Sequence, residues 1–206
     1  APGEPLVDYK RLSDGQQSLL YLSLVLALQA AAREALAAGA KSAFDLEKLR
    51  PPAFTLIAME EPENSLSPHY LGRAIAALGE FAGHPDAQAL VATHSPSMLK
   101  RVPPESVRYL RLDAQRQTSV RAITLPPNTD KAYKYVREAV QAYPELYFSR
   151  LVVLGEGASE EIVLPRALGA KGLPADAVAV SITPLGGRHV NHFWRLLNDL
   201  AIPHLT

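Results

Sequence analysis

Apolar positions along the chain fall into one long run and several short ones. The long run lies between Leu12 and Ala38, where Leu19, Leu20, Leu22, Leu24, Val25, Leu26 and Leu28 leave almost no polar face, and Gly39 follows as a natural stop. A helix apolar nearly all round reads as buried. The stretch from Leu19 to Ala32 is interrupted by Tyr21, Ser23 and Gln29, too short and too polar for a membrane span. The short runs are Phe54 to Met59, Gln88 to Thr93, Leu151 to Leu154 and Ala177 to Thr183. Each is continuous rather than alternating, the pattern of strands covered on both faces in a parallel sheet. Helical segments separate them: one from Ser67-Pro68 to Ala82, one behind Ser159, and an amphipathic one from Val190 to Leu200 that carries Trp194. Pro165 is expected to kink or shorten the helix behind Ser159. Ser106 to Leu112 and Ser119 to Leu125 flank Asp113-Ala114-Gln115-Arg116 and predict a hairpin. Strands alternating with helices place the chain in the α/β class.

The polar residues that end these runs carry the chemistry. Leu56-Ile57-Ala58-Met59 runs into Glu60, Glu61 and Pro62. Ligands of open α/β sheets bind beyond the carboxyl ends of strands, where both acids would stand. Side chains alternate faces along a strand, so one acid can hold a metal while the other orients an attacking water. The alternative is a solvated acidic strand end before a turn. The next short strand ends at His94, which can hydrogen-bond a terminal phosphate in the same crevice or be a satisfied structural histidine. Ser13 and Gln16 are spaced as a capping box. Ser13, Gly15 and Gln16 at a helix N-terminus also present a hydroxyl and backbone amides to an anion.

Composition narrows this picture little. With 21 basic and 21 acidic residues the net charge is zero, so nucleic-acid contact requires a local patch. Lys131, Lys134 and Arg137 form a basic stripe on a predicted helix from Asp130 to Ala142, and a solvated face is the preferred reading. Cysteine is absent, which removes disulfides and thiolate metal sites and suits a reducing cytoplasm. Both ends are expected to continue into a longer protein.

Taken in order, these features resemble the C-terminal half of an ABC-type ATPase head. LSDGQQ resembles the signature motif, with Ser13, Gly15 and Gln16 facing ATP bound across a dimer. IAMEE resembles Walker B, with Glu60 at the Mg²⁺ position, usually Asp, and Glu61 as catalytic glutamate. Asn64-Ser65-Leu66-Ser67 resembles the D-loop and His94 the switch histidine. No G-x-x-x-x-G-K-[ST] occurs in the sequence, so this stretch is not expected to bind ATP conventionally.

In the second half, Gly155-Glu156-Gly157 follows a strand, and Glu160 and Glu161 open the next helix. Acids in a first turn favour the helix dipole, and carboxylates at a strand tip can also share a divalent cation. The β-α-β-α-β order with GEG-x-SEE resembles a Toprim domain, whose D-x-D strand would lie beyond Thr206. The resemblance implies Glu156 as metal ligand or general base and Glu160 as second ligand, with Mg²⁺ or Mn²⁺ preferred over zinc. His189, His192 and His204 have no metal spacing.

An ATPase half followed by Toprim resembles the OLD (overcoming lysogenization defect) family of ATP-dependent endonucleases. The expected division is a partial ATPase sheet over residues 1–128, a linker helix over 129–147 and a partial Rossmann-like Toprim domain over 148–206. The resemblance implies two-metal cleavage or nicking of DNA regulated by ATP, a homodimer, a cytoplasmic location, a possible helicase partner in defence against phage, and no activity for this stretch alone. The rivals are a non-nuclease ABC-type clamp of DNA repair or chromosomes, and a topoisomerase- or primase-type Toprim enzyme.

Overall fold

A computed structural model describes residues 8–42, 48, 52–113, 115–125, 131–185 and 190–206. Its contacts divide the chain into two units, Ala1–Thr93 and His94–Thr206.

The first unit opens with α1, Asp14–Ala38, capped at Ser13 and ended at Gly39. Strand β1, Thr55–Glu60, then leads through α2, Pro68–Ala82, to β2, Ala87–Ala92. The strands are parallel, in register from Thr55 opposite Ala87 to Glu60 opposite Ala92, with α2 as the crossover that parallel pairing requires. Helix α2 buries Leu71, Ala74, Ile75, Leu78 and Phe81, one stripe at helical spacing, against the sheet. Arg33 on α1 makes a forked pair with Asp86, at 3.1 and 3.0 Å, and its guanidinium lies 5.4 Å from the centre of the Phe81 ring. The Arg33 hydrogen bond holds the Asp86 carboxyl below its usual range. That contribution to stability is present at neutral pH and fades as acid protonates Asp86.

Two expectations about this unit are not met. Helix α1 is not a buried helix: its buried positions, Gly15, Leu22, Gln29, Ala32 and Ala35, form one narrow stripe, while Tyr21, Leu24 and Leu28 are 70, 61 and 65% exposed. By length and composition it qualifies as a membrane-crossing helix, against the expectation that the stretch is too short and too polar; a mostly buried core helix of a soluble protein and a signal sequence pass the same test. The strands are likewise covered on one face only. Burial alternates along β1 and β2, leaving Leu56 and Leu90 about half exposed. The reason is the same for both elements. A two-stranded sheet with one described helical layer cannot cover every apolar face that the residues offer.

The second unit begins with a short helix, α3, Pro96–Leu99. The antiparallel hairpin of β3, Arg108–Leu112, and β4, Thr118–Ala122, follows, its turn held by Asp113 Oδ1, which accepts from the amides of Gln115 and Gln117 at 2.9 and 2.8 Å. Helix α4, Lys131–Ala142, precedes β5, Leu151–Gly155; then come α5, Ala158–Ala170, β6, Val180–Pro184, α6, Val190–Asp199, and β7, His204–Leu205. The sheet order is β6-β5-β7, all parallel, so β5 is central and the chain crosses it between β6 and β7. Two readings change in detail. Pro165 lies inside α5, which is not shortened there, and β6 starts at Val180, after a turn that occupies the residues read as its beginning.

The core of this unit gathers Leu146, Tyr147, Val152, Leu154, Phe193, Leu197 and Leu200 together with Leu99 and Ile123. Arg111 and Arg121 from one face of the hairpin donate to the carbonyls of Ala201 and Asp199 at 3.0 and 2.9 Å, where the negative end of α6 favours cations. The hairpin therefore packs with the C-terminal sheet, although the sequence groups it with the ATPase half. The proline-rich boundary at 126–128 lies outside the described residues. On α4, exposed Lys134 lies 3.8 Å from Glu138, and Arg137 donates to the Tyr133 hydroxyl; the Lys131 side chain is outside the described set.

Tyr147 is 2% exposed, and its hydroxyl has no hydrogen-bond partner among the described residues. Burial pushes its ionisation well above the ordinary tyrosine range. An acid whose folded pKa is raised stabilises fully below the unfolded value and loses that contribution as alkali ionises the unfolded chain. Tyr147→Phe is expected to match or exceed the parent in stability, by about 1 kcal/mol. It is also expected to flatten the fall in stability above the ordinary tyrosine pKa of 10.0. Denaturant titrations at neutral and alkaline pH check both.

Candidate functional sites

At the carboxyl end of β1, register and turn geometry send the two acids different ways. Glu60, the last strand residue, is exposed on the uncovered face with Leu56 and Ala58. Glu61 leaves the strand through a left-handed backbone, φ 42° and ψ 55°, rare for a residue with a Cβ. The conformation is over-determined. The Glu61 amide donates to the Ala92 carbonyl at 2.8 Å, and its carbonyl accepts from the Asn64 amide at 3.0 Å. Pro62–Asn64 forms a single 3-10 turn, with the Leu66 amide bonded to the Pro62 carbonyl at 3.1 Å. A bent, strained strand end of this kind persists where surrounding bonds fix it, often at functional positions.

Two side chains of the turn have partners. Asn64 Nδ2 donates to Glu61 Oε2 at 2.6 Å. Glu63 accepts from the Thr93 hydroxyl at the end of β2, and its second oxygen is buried with no partner among the described residues. The Glu63–Thr93 bond ties the tips of β1 and β2 together. His94 follows Thr93 directly and is exposed; Ser95, next in the chain, pairs its hydroxyl with Ser97 at 2.8 Å. Nothing in the sequence marks Glu63, and Asn64 stands there only as part of a loop motif. The available signal was spacing, since Glu61 and Asn64 stand one turn of 3-10 helix apart.

At the start of α1 the capping box is formed: Ser13 Oγ accepts from the Gln16 amide at 3.4 Å and Gln16 Oε1 accepts from the Ser13 amide at 3.0 Å. Ser13 and Gln16 are exposed, and Gly15 between them is buried. Gly15 is where the backbone of α1 meets the loop after β1. A Cβ there would overlap the Ser65 carbonyl oxygen and stand 3.0 Å from its carbon. The glycine thus lets the signature-like turn rest on the Asn64–Ser67 loop. Gly15→Ala is expected to destabilise this unit by about 1–3 kcal/mol through overpacking. Gly79→Ala, inside α2 with nothing within 4 Å of the new Cβ, is expected to change stability in the opposite direction. Paired denaturation curves distinguish the two.

In the second unit, Glu156 follows β5 and is exposed, at the carboxyl edge of the parallel sheet. Glu160 folds back over the turn: its Oε2 accepts from the Gly157 amide at 3.0 Å, closing the N-terminus of α5. Gly155 makes room for it, since a Cβ at Gly155 would lie 2.9 Å from the Glu160 Cβ. Among the described residues no three His, Cys, Asp or Glu side chains cluster to form a metal cage. Carboxylates are hard oxygen donors, and with water and phosphate completing the shell they are the kind of donor Mg²⁺ uses.

Comparison with known proteins adds to this geometry. Residues 147–206 match a family model described as "Overcoming lysogenization defect protein-like, TOPRIM domain". Residues 2–100 match one described as "AAA domain, putative AbiEii toxin, Type IV TA system". A curated relative, "Endonuclease GajA" of Bacillus cereus (strain VD045), is 26% identical over 148 residues, 71% of this chain and 25% of its own length. The chain thus spans a quarter of the relative it matches. A solved structure titled "Structural biochemistry of ATP-driven dimerization and DNA stimulated activation of SMC ATPases" is similar at TM-score 0.39 and 18% identity, covering 66% of this chain and 67% of that one. With an ATPase-like part followed by a Toprim-like part, each on a mixed α/β frame, the chain is similar to the ATPase–Toprim proteins of the overcoming lysogenization defect family.

Proposed function

We propose that this chain is part of an ATP-regulated DNA endonuclease that cleaves or nicks DNA with Mg²⁺ or Mn²⁺. The observation that carries the reading is repetition in tandem. Each unit has a parallel strand whose carboxyl end delivers acids, Glu60 and Glu61 after β1 and Glu156 after β5. The relative named an endonuclease supports the same reading.

In this reading residues 1–128 belong to the ATPase part, 129–147 link, and 148–206 belong to Toprim. Glu60 serves a metal at the nucleotide, Glu61 takes the proton of the attacking water, and His94 faces the terminal phosphate. Ser13, Gly15 and Gln16 face ATP held by a second copy, which makes the protein a homodimer. Glu156 and Glu160 serve a cation at the scissile phosphate, with one oxygen of Glu160 retained by the Gly157 amide. The cation supplies charge neutralisation and an acidified water at that site. A cytoplasmic location and a helicase partner belong to the same proposal.

The test is the full-length protein on supercoiled DNA with ATP and Mg²⁺. Nicked or linear product that chelation abolishes is the expected result. ATP turnover without any cleavage would instead favour the non-nuclease clamp, and neither activity would overturn the reading.

A further inference from the structure

We propose that Asn64 is the positioning residue for Glu61, holding the carboxylate in the orientation from which it addresses the attacking water. This rests on the reading of Glu61 as the residue that activates water for ATP hydrolysis. The bond from Asn64 Nδ2 to Glu61 Oε2 is 2.6 Å, and a neutral amide donating to a carboxylate is the stronger kind of hydrogen bond. A carboxylate on a flexible side chain otherwise rotates about its last bonds, and a base that must meet one water in one place loses rate through that freedom.

The mount of the donor is rigid. Asn64 ends the Pro62–Asn64 turn, its own amide bonds to the Glu61 carbonyl at 3.0 Å, and the Glu63–Thr93 bond anchors the turn to the end of β2. Residue 64 stands one 3-10 turn after residue 61, the spacing at which side chains three apart meet. Asn64 itself is exposed, so its side chain is not needed to fill a core.

The experiment compares Asn64→Asp, Asn64→Gln and the parent in the full-length protein, by steady-state ATP turnover and thermal melting. Aspartate keeps the shape, removes the donor and sets a second negative charge against Glu61, whereas glutamine keeps the donor on a longer arm with no added charge. Asn64→Asp is expected to lower kcat about 10- to 100-fold, the usual size for a group that orients a reacting residue, with KM for ATP within about 2-fold and an unchanged melting temperature. Asn64→Gln is expected to turn over faster than Asn64→Asp. Parent-like kcat in Asn64→Asp, or Asn64→Gln no faster than Asn64→Asp, overturns the proposal. Glu61→Gln is run alongside. If that variant hydrolyses ATP normally, the reading of Glu61 fails first, whatever the Asn64 variants do.

Discussion

Glu61→Gln in the intact protein is expected to lower ATP turnover by about 10²- to 10⁴-fold, the range supplied by a positioned general base. ATP binding should persist, because glutamine keeps the size and one oxygen of the side chain and removes only the capacity to take a proton. The backbone argument points the same way. The left-handed turn at Glu61 is held by main-chain bonds to Ala92 and Asn64, so the substitution leaves its frame intact. Phosphate release and nucleotide-binding measurements on one preparation separate the two effects. Retained turnover would remove Glu61 from the catalytic role.

The second large effect is expected at Glu156. Glu156→Ala should reduce metal-dependent DNA cleavage by about 10²-fold or more if this carboxylate is ligand or base. It should cost little stability, because an exposed strand-tip acid away from packed neighbours changes folding by only about 0.5 kcal/mol either way. ATP turnover should be unchanged. Cleavage at the parent rate, followed on supercoiled DNA over a range of Mg²⁺ concentrations, would place the chemistry elsewhere. Glu160 is expected to behave differently, because its carboxylate also closes the N-terminus of α5 through Gly157. Loss at Glu160 therefore mixes a capping defect with any metal defect, and Glu156 is the cleaner probe.

Local signals in the sequence were the legible ones. Ser13 and Gln16 three residues apart marked the start of α1, and both halves of that box are present. Continuous apolar runs ending in Glu60 and near His94 located two parallel strands, and the runs around Asp113 located the hairpin. What failed was inference about faces. Apolar content can state that Leu24 and Leu28 tolerate burial, but whether a layer covers them depends on elements distant in the chain. The packing of Leu99 and Ile123 with Val152 and Leu197 is long-range in the same sense, and no window of sequence contains it. Pro165 misled for a narrower reason: proline in a helix interior removes one hydrogen bond and crowds one carbonyl, and α5 continues across that defect.

The left-handed residue at the tip of β1 has a consequence for anyone engineering this protein. Glycine would relax the main chain at position 61 and in the same stroke delete the carboxylate, so a search for heat tolerance will be drawn to the position that the proposed function assigns to water activation. Variants recovered there should be screened for hydrolysis before their melting points are admired.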